Sequence, residues 1–219
     1  MSENPVAGRV VLIAGATSAS GLAAARALAE AGARVVAVGR DEDRLAELAQ
    51  AVPGIRVEVA DLTDEAAVHA LHDRVGAVDG VLHLVGGWRG GGGLAGQSEA
   101  DYRFLELSFT ALRVVSREFD ADLRAAGRAR LAIVSSTAVD KPLAGGANYA
   151  AVKAASEAWT RAVAQGFAKA ARDAGAPLTA AATVFRVKSL EGLEAELAAR
   201  FTALWAEDAA SVNGTIIPL

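Results

Sequence analysis

VVLIAGATSASGLAAARALAEAGARVVAV, residues 10–38, is the stretch that decides the fold of this 219-residue chain. An apolar, β-branched run at 9–14 is followed by a turn of small residues, an alanine-rich stretch that ends at Gly32, and a second apolar run at 34–38. Both runs are almost entirely apolar, which is the pattern of strands buried on both faces of a parallel sheet. The stretch therefore predicts a strand, a helix and a second, parallel strand.

The rest of the chain repeats this alternation. Further apolar runs occur at 55–60, 81–85, 130–135, 178–184 and 215–219, and helical patterns lie near 20–31, 41–51, 64–75, 99–126, 149–174 and 190–207. We therefore predict an α/β fold, a single-domain Rossmann fold over 1–219 with a doubly wound parallel β-sheet of about seven strands and helices on both faces. In such folds the ligand site lies beyond the carboxyl ends of the strands.

Composition excludes several classes of protein. The formal net charge is −4 with basic and acidic residues interspersed, so we expect no nucleic-acid partner. The chain has no cysteine and three histidines, so we expect no disulfide and no metal site. Because neither a signal peptide nor a membrane-length apolar run is recognisable, we predict a cytoplasmic protein that does not bind membranes.

The turn GATSASG, residues 15–21, has the composition of a phosphate-binding loop. Gly15 and Gly21 allow the backbone to approach a ligand, and the helix that follows offers unpaired N–H groups and a positive dipole end. A strand-to-helix turn also needs small residues for packing alone, so the two glycines leave both interpretations open. The position after the first strand of a β-α-β unit favours a dinucleotide pyrophosphate.

The residue after the second strand indicates which dinucleotide fits. NAD sites place an acidic residue there to accept the ribose hydroxyls, whereas this chain has Gly39 and Arg40. Since arginine suits a 2′-phosphate, we predict NADP (NADPH) in preference to NAD; the alternative is that Arg40 faces solvent or pairs with Asp41 or Asp43. Asp61, after the third strand, either contacts the adenine or caps the next helix.

A serine, a tyrosine and a lysine form the candidate catalytic group. Ser136 follows the fifth apolar run, and Tyr149 opens a helix as YAAVK, with Lys153 four residues later on the same face. A nearby ammonium stabilises a phenolate, so we expect Lys153 to lower the tyrosine pKa from about 10 toward neutrality. A surface pair at this spacing is common, but the strand-end serine and the glycine turn favour a catalytic role.

Together these motifs resemble the short-chain dehydrogenase/reductase family, over essentially the whole chain and in the expected order. Members transfer hydride between NAD(P)H and a carbonyl or imine. The resemblance implies Tyr149 as general acid/base, Lys153 as the residue that lowers its pKa and contacts the nicotinamide ribose, and Ser136 as the residue that orients the substrate. It also implies a set of cofactor contacts: Gly15, Thr17, Ser18, Ala19, Ser20, Gly21, Leu22, Arg40, Asp61, Leu62, Val85, Gly86, Gly87, Tyr149, Lys153, Val184 and Ser189.

The chain departs from the family's phosphate loop and from its NNAG motif. Ala14 and Ala19 replace a threonine and a glycine of the loop, and HLVG at 83–86 replaces NNAG. Given its apolar neighbours, we interpret His83 as a hydrogen-bonded strand residue instead of a catalytic one.

Two further departures concern the proton relay and the turn after the sixth strand. Ser108 stands where the family's relay asparagine falls. Val184 and Phe185 stand for a proline and a glycine, and Ser189 for a threonine that contacts the carboxamide.

The glycine-rich run VGGWRGG, at 85–91, resembles the glycine loop of dihydropteridine reductase. At the carboxyl end of a central strand, Trp88 is placed to cover a flat substrate ring and Arg89 to contact a polar edge or a phosphate. The glycines would let the loop close over a ligand and reopen. The alternative is a flexible surface loop with an incidental tryptophan.

The leading hypothesis is an NADPH-dependent reductase of a small carbonyl or conjugated imine, with Tyr149 as proton donor. The alternative is a catalytically weak or inactive protein that senses a dinucleotide or serves as a scaffold. In either case the apolar helices at 99–126 and 149–174, with Phe109, Trp159 and Phe167, predict a homodimer or homotetramer unless these residues face the sheet.

Overall fold

The computed structural model describes residues 4–219 and has one seven-stranded sheet in the order β3-β2-β1-β4-β5-β6-β7. The strands are β1 (Val10–Ala14), β2 (Arg34–Gly39), β3 (Arg56–Val59), β4 (Gly80–His83), β5 (Ala129–Ser136), β6 (Ala180–Val187) and β7 (Ile216–Pro218). All neighbouring strands are parallel. The predicted doubly wound parallel sheet is confirmed.

Helices cover both faces of this sheet. They are α1 (Ala19–Glu30), α2 (Glu42–Ala51), α3 (Glu65–Val75), α4 (Glu99–Glu118), α5 (Asp120–Ala125), α6 (Ala147–Asp173), α7 (Glu194–Ala203) and α8 (Ala209–Val212). Successive strand residues enter opposite cores: Leu12 packs on the face of α3, α4 and α6, whereas Ile13 packs on the face of α1, α2 and α7. This is why the strand runs are apolar at every position. Within residues 4–219, no helix combines the length and apolarity needed to cross a membrane.

The crevice that receives ligands in such folds lies between β1 and β4, which are neighbours at the centre of the sheet. The chain passes from β1 to β2 and β3 on one side, and from β4 to the remaining strands on the other. The loops after β1 and β4 therefore leave the sheet side by side, at the switch point of the fold.

Three element ends differ from the prediction. The 99–126 stretch forms two helices, α4 and α5, on either side of the fully buried Phe119. In the 190–207 stretch, α7 does not begin until Glu194. Strand β6 continues to Val187 instead of ending at Val184, because β5 itself extends to Ser136 and pairs that residue with Val187.

Candidate active site

Two adjoining clefts occupy the carboxyl edge of the sheet. The β2-side cleft has a volume of about 390 Å³ and the β5-side cleft about 250 Å³, and Ser18, Val85 and Gly86 line both. Of the residues predicted from the sequence, the β2-side cleft also contains Gly15, Thr17, Arg40, Asp61 and Leu62. The β5-side cleft also contains Ser20, Gly87, Trp88, Tyr149, Lys153 and Ser189.

The loop after β1, residues 15–21 and hereafter the phosphate loop, depends on both of its glycines. Gly15 has a φ of +82°, and a Cβ there would lie 2.8 Å from the Val85 nitrogen of the neighbouring loop. A Cβ at Gly21 would lie 2.0 Å from the Ala16 carbonyl oxygen. Ser18 caps α1 by accepting a hydrogen bond from the Gly21 N–H at 3.1 Å. Close packing thus requires glycine at both positions. The resulting conformation of the loop directs the start of α1 toward the clefts.

Two arginines bring positive charge to the β2-side cleft. Arg40 follows β2 and Arg44 lies in the first turn of α2; neither forms an ion pair with any residue of the described 4–219 range. The alternative pairing of Arg40 with Asp41 is not observed, since Asp41 instead caps α2 at the Arg44 nitrogen, 3.1 Å away. Arg44 was not predicted from the sequence, although its position four residues after Arg40 could have indicated a second arginine near the same cleft.

Asp61 combines a turn-forming role with a place in the β2-side cleft. Its Oδ1 accepts hydrogen bonds from the Thr63 N–H at 2.9 Å and the Thr63 hydroxyl at 2.7 Å. These bonds, with a smaller contribution from the Arg40 charge, hold the pKa of Asp61 below its usual value. Helix α3 is capped by Asp64 instead. Ala19 and Leu22 line neither cleft and face a separate groove between α1 and α2.

The candidate catalytic residues meet at the end of β5. Ser136 is the last residue of that strand, Tyr149 is the third residue of α6, and Lys153 follows one turn later. The Lys153 Nζ lies 5.7 Å from the centre of the Tyr149 ring and donates a hydrogen bond to the Val134 carbonyl oxygen at 2.8 Å. The Ser136 hydroxyl is close enough to interact with the phenol.

Burial dominates the ionisation of the tyrosine and the lysine. It raises the pKa of Tyr149, and the interaction with the Ser136 hydroxyl offsets only part of this increase. Burial also lowers the pKa of Lys153 to about 8, against the opposing effect of the Glu157 carboxylate. The expected lowering of the tyrosine pKa by Lys153 is therefore not observed, because the ammonium points to the Val134 carbonyl and desolvation favours the neutral phenol.

His83, the last residue of β4, is hydrogen-bonded through one ring nitrogen, in line with its interpretation as a strand residue. Its Nε2 lies 3.0 Å from the Ser108 carbonyl oxygen of α4. Burial lowers the pKa of His83 to about 4, so the ring is neutral at physiological pH. The Ser108 hydroxyl donates to the Leu105 carbonyl at 2.7 Å and is thus engaged within its own helix.

The segment 86–96, hereafter the glycine loop, is held at its base by Gln97. The Gln97 Nε2 donates to the carbonyl oxygens of Gly91, Gly93 and Gly145 at 3.1, 3.3 and 2.9 Å. Its Oε1 accepts from the Asn148 N–H at 3.1 Å. The loop is therefore tied to the segment that leads into α6. Nothing in the local sequence pattern distinguishes Gln97, so the sequence analysis missed it.

The tryptophan and the arginine of the glycine loop take different positions. Trp88 lines the β5-side cleft and is 62% exposed. Arg89 does not line that cleft: its guanidinium stacks over the Phe104 ring of α4 at 3.9 Å and donates to the Trp88 carbonyl at 2.8 Å. The structure thus brings Trp88, but not Arg89, to the predicted substrate position.

Val184 does not reach either cleft, which corrects its assignment as a cofactor contact. It lies inside β6, paired with Ile133 and Ile216, and is 2% exposed. The strand runs three residues further, so Val187, Lys188 and Leu190 line the β5-side cleft beside Ser189. The apolar run at 180–185 continues without a break, and it concealed the true end of the strand.

The fold and the crevice together define the class of protein, a Rossmann-type α/β protein with a ligand crevice at the switch point of its sheet. The chain belongs to the short-chain dehydrogenase family, because a family model described as short chain dehydrogenase matches residues 9–171. Granaticin polyketide synthase putative ketoacyl reductase 1 of Streptomyces violaceoruber is 34% identical over 157 residues, which are 66% of this chain and 57% of that protein. The chain thus matches less than two thirds of that relative's length.

Solved structures agree on the fold. A short-chain type dehydrogenase/reductase from Mycobacterium ulcerans superposes with a TM-score of 0.84 at 21% identity, over 97% of this chain and 88% of that one. The Pseudomonas aeruginosa RhlG/NADP active-site complex superposes with a TM-score of 0.82, also at 21% identity, over 100% of this chain and 98% of that one.

The residues present fit the nicotinamide dinucleotide that this family binds. The phosphate loop brings Gly15, Thr17 and Ser18 to the β2-side cleft, although Gly21 lines neither cleft. The β2-side cleft offers two guanidinium groups, and the β5-side cleft offers the Lys153 ammonium beside Tyr149. When bound, such a cofactor supplies or accepts a hydride.

Proposed function

We propose that this oxidoreductase is an NADPH-dependent reductase of a small carbonyl or conjugated imine compound, with Tyr149 as general acid. The observation that carries the proposal is that Tyr149 and Lys153 line the β5-side cleft while the Ser136 hydroxyl, which does not itself line the cleft, interacts with the Tyr149 phenol. The three residues come from two elements, β5 and α6, and meet at the carboxyl end of β5.

The ionisation of these groups suits reduction. Because its pKa is raised by burial, the Tyr149 phenol is neutral at pH 7 and can donate its proton to the substrate oxygen or nitrogen. The Ser136 hydroxyl orients the same atom by hydrogen bonding. After the proton has left, the Lys153 ammonium, 5.7 Å from the centre of the ring, supplies a positive charge near the phenolate, although this charge does not outweigh burial before the proton is transferred.

The preference for NADPH rests on the charges of the β2-side cleft. Arg40 occupies the position where NAD sites carry an acidic residue, and Arg44 adds a second guanidinium. A 2′-phosphate is well matched by two unpaired guanidinium groups, which donate planar, charge-assisted hydrogen bonds. The structural likeness to the RhlG/NADP complex is consistent with this choice.

A flat substrate is favoured by Trp88, whose exposed indole stands at the rim of the β5-side cleft. Suitable test compounds are aromatic and aliphatic ketones and quinonoid dihydropterins. The name of the Streptomyces violaceoruber relative adds ketoacyl compounds to this set.

One observation favours the second candidate, a catalytically weak dinucleotide-binding or scaffold protein. Ser108, at the position of the family's relay asparagine, engages its hydroxyl within α4, so it offers no free side-chain group to a relay. A protein that binds NADPH tightly but oxidises it with no carbonyl or imine compound would fit this second candidate.

The two tyrosines of the chain provide a matched test. We expect Tyr149→Phe to lower kcat about 100-fold or more, because it removes a general acid, while NADPH affinity is retained. Tyr102→Phe, on the surface of α4, should leave kcat unchanged. NADPH oxidation at pH 7 is the measurement, and a Tyr149→Phe enzyme with wild-type turnover would refute the proposed role.

We also propose a homodimer or homotetramer built on α4 and α6. Phe104 of α4 is 39% exposed beside the Arg89 guanidinium that stacks on it, whereas Leu107 lines the β2-side cleft, Phe167 faces the sheet, and Phe109 packs edge-on against Trp159 at 6.1 Å. Sedimentation equilibrium should give a mass of two or four chains, and a monomer at micromolar concentration would contradict this assembly.

A further inference from the structure

Two buried side-chain atoms within residues 4–219 lack a hydrogen-bond partner, His83 Nδ1 and Ser135 Oγ. They belong to adjacent strands, since His83 of β4 pairs in register with Ile133 of β5. Ile133 packs on the α4 and α6 face of the sheet, so the Ser135 side chain, two residues further along, leaves the same face. His83 faces that side too, because its ring contacts α4. The two unpaired atoms are therefore diagonal neighbours beneath α6.

The tautomer of His83 follows from its one hydrogen bond. A carbonyl oxygen only accepts, so the Nε2 that bonds to the Ser108 carbonyl must carry the proton. The ring is neutral, as its buried position and the nearby Lys153 charge both require. The Nδ1 is consequently a bare acceptor, held in a fixed orientation by α4.

Lys153 supplies the complementary donor. Part of its side chain reaches the surface, but the ammonium group is buried, and it donates one hydrogen bond to the described residues, to the Val134 carbonyl. The other two N–H groups of the ammonium are available to donate hydrogen bonds to further partners. His83 and Lys153 also line the same cleft.

We propose that His83 and Ser135 together hold one internal water molecule that accepts a hydrogen bond from Lys153, and that His83 is thereby a positioning residue for the catalytic lysine. The water donates to His83 Nδ1 and to Ser135 Oγ, which satisfies both unpaired atoms. Three hydrogen bonds are typical of a buried water, and one water spans about 5–6 Å between two polar atoms. The catalytic significance of this arrangement rests on the proposed reductase function; the water site itself does not.

The other charged groups around Lys153 do not replace this water. Glu157, one turn further along α6, raises the pKa of Lys153. However, Arg186 of β6 binds both oxygens of that carboxylate, at 3.1 and 2.6 Å, and Arg161 of α6 approaches it at 3.6 Å. Tyr149 is neutral, and Glu157 is the one charged group that acts noticeably on Lys153 among the described residues. Besides the Val134 carbonyl, the buried ammonium therefore needs a further neutral hydrogen-bond acceptor.

Nuclear magnetic resonance of the imidazole nitrogens tests the water site without any assay of activity. The chain has three histidines, so assignment by substitution is direct. We expect His83 to keep the Nε2–H tautomer and to stay neutral from pH 8 down to pH 5, with its Nδ1 resonance that of a hydrogen-bonded acceptor. Ser135→Ala should shift this resonance, whereas Thr183→Val, which removes a buried hydroxyl from β6, should not. An Nδ1–H tautomer, or an Nδ1 resonance unchanged by Ser135→Ala, would overturn the proposal.

The charge of Lys153 provides the second readout. Only four lysines occur in the chain, Lys141, Lys153, Lys169 and Lys188, so the side-chain titration can be followed in lysine-labelled protein. We expect Ser135→Ala and His83→Leu to lower the pKa of Lys153 by about half a unit to one unit, which is a threefold to tenfold change in its protonation equilibrium. His83→Gln, which keeps a donor and an acceptor, should restore most of the wild-type value. A titration of Lys153 that is the same in all variants would overturn the proposal.

The same variants separate this inference from the proposed function. If the protein is a reductase, the alkaline limb of kcat should move to lower pH in Ser135→Ala by the shift measured for Lys153. If wild type reduces no substrate, the proposed function fails, while the histidine and lysine titrations still decide whether the water site exists. If the His83 and Lys153 titrations shift but the alkaline limb of kcat does not move, the water site is supported, and its role in positioning the catalytic lysine is rejected.

Discussion

The phosphate loop and the glycine loop both follow central strands and open on the same crevice, but glycine serves them differently. In the phosphate loop, Gly15 and Gly21 are fixed by contacts: any Cβ would collide with backbone within 3 Å. In the glycine loop the requirement is mixed. Gly91 and Gly93 have open space around them and positive φ values of 128° and 64°, so the backbone conformation is what requires glycine there, whereas a Cβ at Gly90 would lie 2.4 Å from the Gly145 carbonyl oxygen. The difference teaches that glycine content alone does not show whether a loop is fixed by close contact or by its backbone conformation.

The glycine loop is tied at its base by a side chain outside it and by a backbone hydrogen bond from the Gly91 N–H to the Gly145 carbonyl oxygen at 2.7 Å. The side chain is that of Gln97, which makes hydrogen bonds to backbone groups of the loop and of the segment before α6. Polar bonds therefore hold the glycine loop in addition to close contact at Gly90, whereas close packing at both glycines fixes the phosphate loop. A packing defect and a lost hydrogen bond change the free energy of unfolding by different amounts, so mutations in the two loops can test this difference.

The largest effect is expected at the phosphate loop. Gly21→Ala places a Cβ 2.0 Å from the Ala16 carbonyl oxygen. We expect it to lower the free energy of unfolding by about 3 kcal/mol, as overpacking does, and to abolish NADPH binding because the start of α1 must move. Urea unfolding is the measurement. Gly166→Ala is the control: it meets nothing within 4 Å inside α6, so it should stabilise the protein by up to about 1 kcal/mol.

If Gly21→Ala unfolds at the same urea concentration as wild type and still binds NADPH, close contacts of Gly21 do not fix the phosphate loop. The phosphate loop and the glycine loop would then not differ in how closely their glycines are packed.

The next largest effect is expected for Arg40, whose positive charge lies in the β2-side cleft beside the phosphate loop. Arg40→Ala should weaken NADPH binding about 30-fold, since one charge-assisted hydrogen bond contributes roughly 2 kcal/mol, and should leave NADH binding unchanged. Fluorescence energy transfer from the tryptophans to the reduced nicotinamide measures both. Arg26→Ala, on the exposed face of α1, is the control. An equal loss of affinity for the two cofactors would show that Arg40 does not recognise a 2′-phosphate.

A smaller effect is expected for the tie of the glycine loop. Gln97→Leu removes the hydrogen bonds of one side-chain amide from the loop base, so amide exchange in residues 90–96 should accelerate about tenfold, with little change in global stability. Hydrogen exchange followed by mass spectrometry is the measurement. Gln165→Leu, at an exposed position of α6, should leave exchange in this loop unaltered. Unchanged exchange in Gln97→Leu would mean that the glycine loop has a different anchor.

The smallest effect is expected at the tip of the glycine loop. Trp88→Ala should raise KM for a ketone with an aromatic ring about fivefold, in keeping with one stacked pair of rings, while KM for a small aliphatic aldehyde stays the same. A parallel change for both substrates would indicate a general role in closing the cleft.

Much of the fold could be predicted from the sequence because both faces of every central strand are buried. The apolar runs identified all seven strands, but the same continuity concealed the end of β6, so Val184 was placed at the site and Val187 was missed. The spacing of Tyr149 and Lys153 predicted that they share one face of a helix, and both line the β5-side cleft.

The sequence could not show contacts that depend on distant segments. Gln97 ties together residues about fifty positions apart, and Arg89 stacks on Phe104 instead of facing the cleft. The direction of the tyrosine pKa shift was wrong for the same reason, because burial of the phenol is a property of the packed molecule.

Hydride transfer from NADPH to a carbonyl or imine carbon, with Tyr149 as proton donor, is the step on which the proposed function depends. The most direct measurement is mass spectrometry of products formed from NADPH deuterated at both C4 positions by wild type and by Tyr149→Phe, across ketones, ketoacyl compounds and quinonoid dihydropterins. We expect a reduced product that carries one deuterium with wild type and at most a trace with Tyr149→Phe. Cofactor that binds but passes no deuterium to any compound would contradict the account and favour a dinucleotide-binding protein without catalysis.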